Sequence, residues 1–286
     1  MAAIKATTAS DSGCVAGERL RIRTWSMRVL RNRRAMMVLS PTIALGIWQL
    51  LVVWGFISTD SFTSPAQVLS ALIEVVLEKN PALRGSLALH VWASLQEVLL
   101  GFLLAAAVGV PIGLLMGWSR IAFNVLDPLV ELLRPIPPTA WVAISLLIFG
   151  LGLQQKVFVV FVGTVSPILI TTLDGVRGID QILLKVARTH NASQSDTLRK
   201  VMLPALLPAI LTSFRVAIGM GWMVVVAAEL IAAEAGLGYL LIQAYRIFRM
   251  DVMIAVMLII GLLALLMDRG MRWLQMRLLA WQETEH

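Results

Sequence analysis

The residues of this chain best suited to chemistry are ionisable groups set among apolar neighbours: Glu131, Arg134, Arg215 and Glu229. A charge at mid-bilayer costs at least ~2.5 kcal/mol, so each must face a partner, packed protein or water. Glu131 and Arg134 stand three residues apart, on one helix face, where they are placed to pair. Pro135, Pro137 and Pro138 follow at once. Prolines free backbone carbonyls, which at membrane depth are tolerated only against protein or a water-filled path. Broken helices of this kind often line solute sites. Glu131, Arg134, Pro137, Arg215 and Glu229 are therefore the candidates for lining a path. Arg134 and Arg215 would give an anion a favourable potential there; the competing reading is that both form structural ion pairs or snorkel to an interface. Glu229 reads as a structural or gating contact rather than an ion ligand.

Other chemistry is missing from the sequence. His90, His190 and His286 show no ligand spacing, and Cys14 stands alone, so neither a metal cluster nor a disulfide framework is expected. HExxH, Gly-x-Ser-x-Gly and paired carboxylates with a polar companion are absent, and no catalytic residue is assigned. The sequence lacks a G-x-x-x-x-G-K-[ST] loop as well.

The elements that hold these residues are membrane helices. Hydrophobic residues make up 58% of the chain and charged ones 14%, with a mean hydropathy of +0.83. A soluble surface needs about 25% charge, and apolar runs of ~20 residues, enough to span a bilayer, recur along this chain. Six spans are expected: an uncleaved first helix from Met36 to Ile57, then 88–117, 122–150, 155–176, 206–233 and 250–268. The third is interrupted by the prolines. Gly101, Ala105, Gly109 and Gly113 recur every four positions in the second, a spacing that suits close helix packing. Residues 65–79 open on Pro65 and show helical apolar spacing, but the segment is too short to span and is placed at the surface.

Charge placement sets the orientation. With the N-terminus inside, the internal segments carry 17 Lys and Arg residues against 4 outside. The 17 include Arg19, Arg21, Arg23, Arg28, Arg31, Arg33 and Arg34 of a basic leader over 1–35. This asymmetry puts both termini in the cytoplasm and requires an even number of spans. The net charge of +7 follows from it, and nucleic acid is not a partner.

The longest polar internal stretch runs from Gly175 to Lys200 and ends in a proline-punctuated entry to the fifth span at Pro204 and Pro208. Its core, Lys185 to Pro204, resembles the EAA loop of importer permeases in the ATP-binding cassette superfamily. That signature reads Glu-Ala-Ala, three residues, Gly, nine residues, Ile-x-Leu-Pro. Lys185-Val186-Ala187 takes the first place, Asn191 the glycine place, and Val201-Met202-Leu203-Pro204 closes the motif at matching spacing. Two positions depart: Lys185 inverts a charge, and Asn191 replaces glycine. Asparagine tolerates φ > 0 better than most residues, so a tight turn between two short helices survives. The stretch 126–138, Phe149-Gly150-Leu151-Gly152 and residues 226–238 resemble permeases for nitrate, taurine and aliphatic sulfonates.

That resemblance covers 36–282 and implies an all-α polytopic membrane protein of the type I importer permease (MetI-like) fold, with a coupling-helix loop over 175–204. Lys185, Val186, Ala187, Asn191, Leu203 and Pro204 would meet the ATPase. It further implies a second copy of the chain, two ATP-binding subunits that hold the ATP and Mg, an external solute-binding protein and an inner-membrane location surrounded by lipid. The cargo would be a small, anionic solute such as a sulfonate, taurine, nitrate or an aromatic carboxylate. An ion-coupled secondary transporter is the alternative, although the halves show no inverted repeat.

Overall fold

The computed structural model describes residues 33–54, 63–78 and 85–280. Residues 1–32 of the expected leader, the end of the expected first span and the last six residues lie outside them. The described residues are helical throughout, with no strand. The chain divides into two units at Val68 and Leu69.

The first unit holds helix α1 (Arg33–Val53) and the start of α2 (Pro65–Val76). Ser64 and Gln67 form a reciprocal cap on α2: the Ser64 N–H donates to the Gln67 side chain at 2.9 Å, and the Gln67 N–H donates to Ser64 Oγ at 3.3 Å. Pro65, at the first helical position, has no N–H to leave unpaired.

The second unit contains α3 (Leu87–Trp118), α4 (Arg120–Leu133), a 3₁₀ turn (Pro138–Ala140), α5 (Trp141–Phe149) and α6 (Leu153–Arg177). These are followed by α7 (Gln181–Thr189), α8 (Gln194–Asp196), a π turn (Thr197–Met202), α9 (Leu203–Ile231), α10 (Leu237–Arg246) and α11 (Met250–Leu278). Its core joins α3, α6, α9, α10 and α11 through side chains such as Val98, Phe102, Val160, Val225, Leu240 and Val256.

The small-residue stripe of α3 acts as the sequence implies. A Cβ at Gly101 would meet Val160 at 2.5 Å, one at Gly113 the Leu169 carbonyl oxygen at 2.6 Å, and one at Gly117 Val176 at 2.5 Å. Without side chains at these points, α3 and α6 approach backbone to backbone, which is how helices associate where lipid removes the hydrophobic drive. Leucines point the other way: Leu99, Leu100, Leu103 and Leu104 are exposed, as lipid-facing positions are.

Four helical runs are long and apolar enough to cross a membrane: Leu87–Trp118, Leu153–Arg177, Gln194–Ile231 and Met250–Leu278. The bent pair Arg120–Leu133 and Pro138–Phe149 raises the count to five, against six expected. The difference lies in the first span, which is helical over Arg33–Val53 but offers only Thr42–Val52 as its described apolar part. The proline interruption expected in span 122–150 appears as two helices bent by 76°. Proline supplies no N–H to the helical ladder, and Pro137, held extended before Pro138, ends any continuation of α4.

Candidate functional site

The segment between α6 and α9 is built from local hydrogen bonds. Asp180 caps α7, its Oδ1 accepting the Ile182 N–H at 2.8 Å. The helix ends in a turn closed by the Ala192 N–H donating to the Ala187 carbonyl at 3.1 Å, with Asn191 at φ 52°. This is the left-handed turn that the Asn191 substitution implies. Ser193 then caps α8 by accepting the Asp196 N–H at 3.1 Å. Lys200 pairs with Asp196 at 2.7 Å across one helical turn. Over Thr197–Met202 the helix widens to π geometry before Leu203 and Pro204 open α9.

One face of this segment is anchored and the other is bare. Leu184 and Leu198 pack against Val176, Ile179, Met202, Leu206 and Ile210, and Ala187 is buried. Lys185 is exposed, and so are Ile182, Leu183 and Val186, which sit at helical spacing and form a short apolar stripe. The residues matched to the motif are thus divided: Ala187 faces the protein, whereas Lys185, Val186, Asn191 and Pro204 face outward.

The path candidates are not brought together. Arg215 pairs with Asp268 at 2.9 Å, and Asp268 also holds Arg272 at 2.9 Å. Glu229 is buried, accepting the Ser94 hydroxyl at 2.5 Å and the Gly238 N–H at 2.6 Å. A Cβ at Gly236 (φ 122°) would overlap that carboxylate, so glycine is required where the 232–238 turn folds over it. Pro137 precedes the 3₁₀ turn in an extended conformation. The expected pairing of Glu131 with Arg134 is corrected: it is not among the ion pairs of the described residues. Arg134 is the C-cap of α4, and it lines a cavity at the helix break instead.

A buried polar cluster escaped the sequence reading. Lys156 Nζ lies 2.7 Å from Glu97 Oε1, with both side chains under 10% exposed, and it reaches the Ala235 carbonyl at 3.4 Å. His90 Nδ1 accepts the Gly236 N–H at 3.1 Å, and Ser94 Oγ accepts the Leu237 N–H at 2.8 Å. The signal was present in α3: His90, Ser94 and Glu97 continue the same buried face as Gly101, Ala105, Gly109 and Gly113. Elsewhere, Arg249 bridges Asp251 (2.8 Å) and Glu74 (2.9 Å), and these two carboxylates hold its guanidinium charged well beyond the ordinary range.

The described residues thus combine glycine-striped packed helices, a proline-broken helix pair and a locally capped polar segment between α6 and α9. Residues 109–280 match the family of binding-protein-dependent transport system inner membrane components. The chain belongs to this family. It is 41% identical over 263 residues to a Methanocaldococcus jannaschii protein assigned as an ABC transporter permease, covering 90% of this chain and 96% of that one. The taurine transport system permease protein of Escherichia coli is 35% identical over 247 residues, 84% of this chain and 90% of its own length. The nitrate import permease protein of Leptolyngbya laminosa is 36% identical over 231 residues, 79% and 81% of the two chains. Among solved structures, the inward-facing MetNI methionine ABC transporter superposes with a TM-score of 0.61 at 22% identity, covering 66% of this chain and 94% of that one. The type I importer permease fold follows. The protein is the membrane permease of an ABC importer; ATP hydrolysis belongs to a separate subunit, and solute is delivered by a binding protein.

Proposed function

We propose that this permease works as a homodimer in the inner membrane, with both termini in the cytoplasm, and moves a small anionic solute inward. Two ATP-binding subunits hold the ATP and Mg. The loop over 175–204 is the element they move. The observation that carries this reading is the exposed apolar stripe Ile182, Leu183 and Val186 on a helix whose opposite face is fixed to α6 and α9. A short amphipathic helix held outside the bilayer is suited to a groove on a soluble partner. Because Val176, Leu206 and Ile210 pack under it, movement of α7 is passed to two spanning helices rather than absorbed by loop bending. Lys185 would meet the partner directly, and its reversed charge relative to the family motif implies an acidic or neutral contact there. Nitrate and taurine, the latter a zwitterion with a sulfonate head, are cargo named for relatives, which supports a solute with an anionic head for this chain.

The experiment is vectorial labelling of a Val186→Cys variant in a Cys14→Ser background. A membrane-impermeant maleimide is expected to label it in inside-out vesicles and not in intact cells, with the ATPase subunit protecting it when co-assembled. Labelling from the outside of intact cells would overturn the proposed orientation, and labelling unaffected by the ATPase would overturn the coupling role.

A further inference from the structure

The break between α4 and α5 opens a cavity of 680 Å³ against α6. Its only charged lining residue is Arg134, which is exposed and has no carboxylate partner among the described residues. In a membrane helix such a cation requires either water or an anion. The other walls are mostly apolar, with an aromatic group among them. Trp141, Phe158 and Phe161 all line the cavity, with Trp141 and Phe158 meeting edge to face at 6.2 Å and Phe158 and Phe161 tilted against each other at 6.4 Å.

Polar groups are few but placed. The Trp141 Nε1–H is buried with no hydrogen-bond acceptor among the described residues, so the indole contributes its ring rather than a donor to the wall. Ser166 adds a hydroxyl to the lining. Pro167 has no N–H, so the Gly163 carbonyl four residues earlier loses its helical donor at the same wall. Gly163 is itself what lets the break pack here, since a Cβ would meet Val224 at 2.8 Å and Pro138 at 3.3 Å.

The geometry points to a solute-binding site in this cavity for an organic anion, a carboxylate or sulfonate head on Arg134 with a flat or apolar body against Phe158 and Phe161. This deepens the permease reading and rests on it. A mostly apolar pocket with a few convergent donors is how small-molecule sites are built, within ~300–1,000 Å³. A bare inorganic anion fits poorly: water takes about 30 Å³ per molecule, so most of the cavity would remain wet against apolar walls. An aromatic or aliphatic body displaces that water, and the guanidinium supplies charge-assisted hydrogen bonds to the head.

The test uses the full permease assembled with its ATPase in nanodiscs, without the binding protein, and [14C]benzenesulfonate as probe. Saturable binding is expected, weakened about tenfold in Arg134→Gln and largely restored in Arg134→Lys, with Phe161→Ala weaker as well. Excess benzoate should displace the probe, whereas nitrate and neutral benzyl alcohol should not. Equal displacement by nitrate would make this an inorganic-anion site and overturn the proposal. Equal displacement by benzyl alcohol would make it a lipid-type groove and overturn it too. Binding unchanged in Arg134→Gln, or no binding to a complex that co-purifies with the ATPase, would refute the site alone. Failure of the ATPase to assemble with the wild-type chain would instead sink the permease reading beneath it.

Discussion

Replacing Asn191 with valine tests the coupling loop most directly. Asn191 sits at φ 52°, and its side chain is exposed, so the substitution removes no packing; it changes only what the backbone accepts. The left-handed conformation costs an L-residue about 1–2 kcal/mol, asparagine less, and a β-branched residue is a true outlier there. The Thr189–Ser193 turn should therefore lose about 1–2 kcal/mol, which lowers the ratio of ordered to disordered loop about 5–30-fold. A partner that binds only the ordered loop sees its apparent affinity fall by up to that factor, the full amount where the disordered form already predominates. The assay is titration of the ATPase subunit against the permease in nanodiscs. Asn191→Val should raise Kd measurably, by up to about 5–30-fold, while Asn191→Gly, which carries no penalty at this φ, should match wild type within about twofold. If valine binds as wild type, or if glycine is as weak as valine, the positive-φ turn does not govern docking and the reasoning fails.

Three further outcomes follow from the packed interior. Lys156→Met leaves Glu97 buried beside Glu229 without its partner, and should cost about 3–5 kcal/mol. Melting of the purified protein should fall by about 6–20 °C, with Glu97→Leu added in the same chain recovering most of the loss; a double variant no better than the single would refute the pairing. Gly113→Ala places a Cβ 2.6 Å from the Leu169 carbonyl oxygen. It should destabilise by about 1–3 kcal/mol, read as a lower melting temperature, whereas Gly261→Ala, with open space around it, should not. Asp268→Asn loosens Arg215 at a pair about 30% exposed on each side. Its stability effect should stay within about 1 kcal/mol, and a larger loss of melting temperature would mean that the pair is shielded from water.

Much of the fold was legible because lipid imposes a simple rule. A helix must be apolar for about 20 residues to cross, so α3, α6, α9 and α11 could be located to within a few residues, α11 alone running ten residues past its expected end. The packing face of α3 was legible too, since small residues at a four-residue spacing let two backbones meet, but its partner α6 was not. At the break, the prolines announced an interruption but not its size; the 76° bend depends on where the 3₁₀ turn finds Gly163 to rest on. In the polar segment between α6 and α9, the spacing from Lys185 to Pro204 and the left-handed turn at Asn191 could be read from residue types. The division of α7 into an anchored and a bare face could not, because it depends on Met202, Leu206 and Ile210 arriving from another helix.

The sequence by itself determined that this chain is a membrane permease and where its polar loop lies, because hydropathy, proline and motif spacing are properties of neighbours along the chain. Only the tertiary structure decided which charges are satisfied. Arg215 found Asp268, Lys156 found Glu97, and Glu229 found Ser94 and Gly238, while Arg134 was left facing a cavity. Three of these partners stand 53, 59 and 135 residues away. A charge in an apolar medium is governed by whatever group comes within a few ångströms in space, and only the packed helices set that distance.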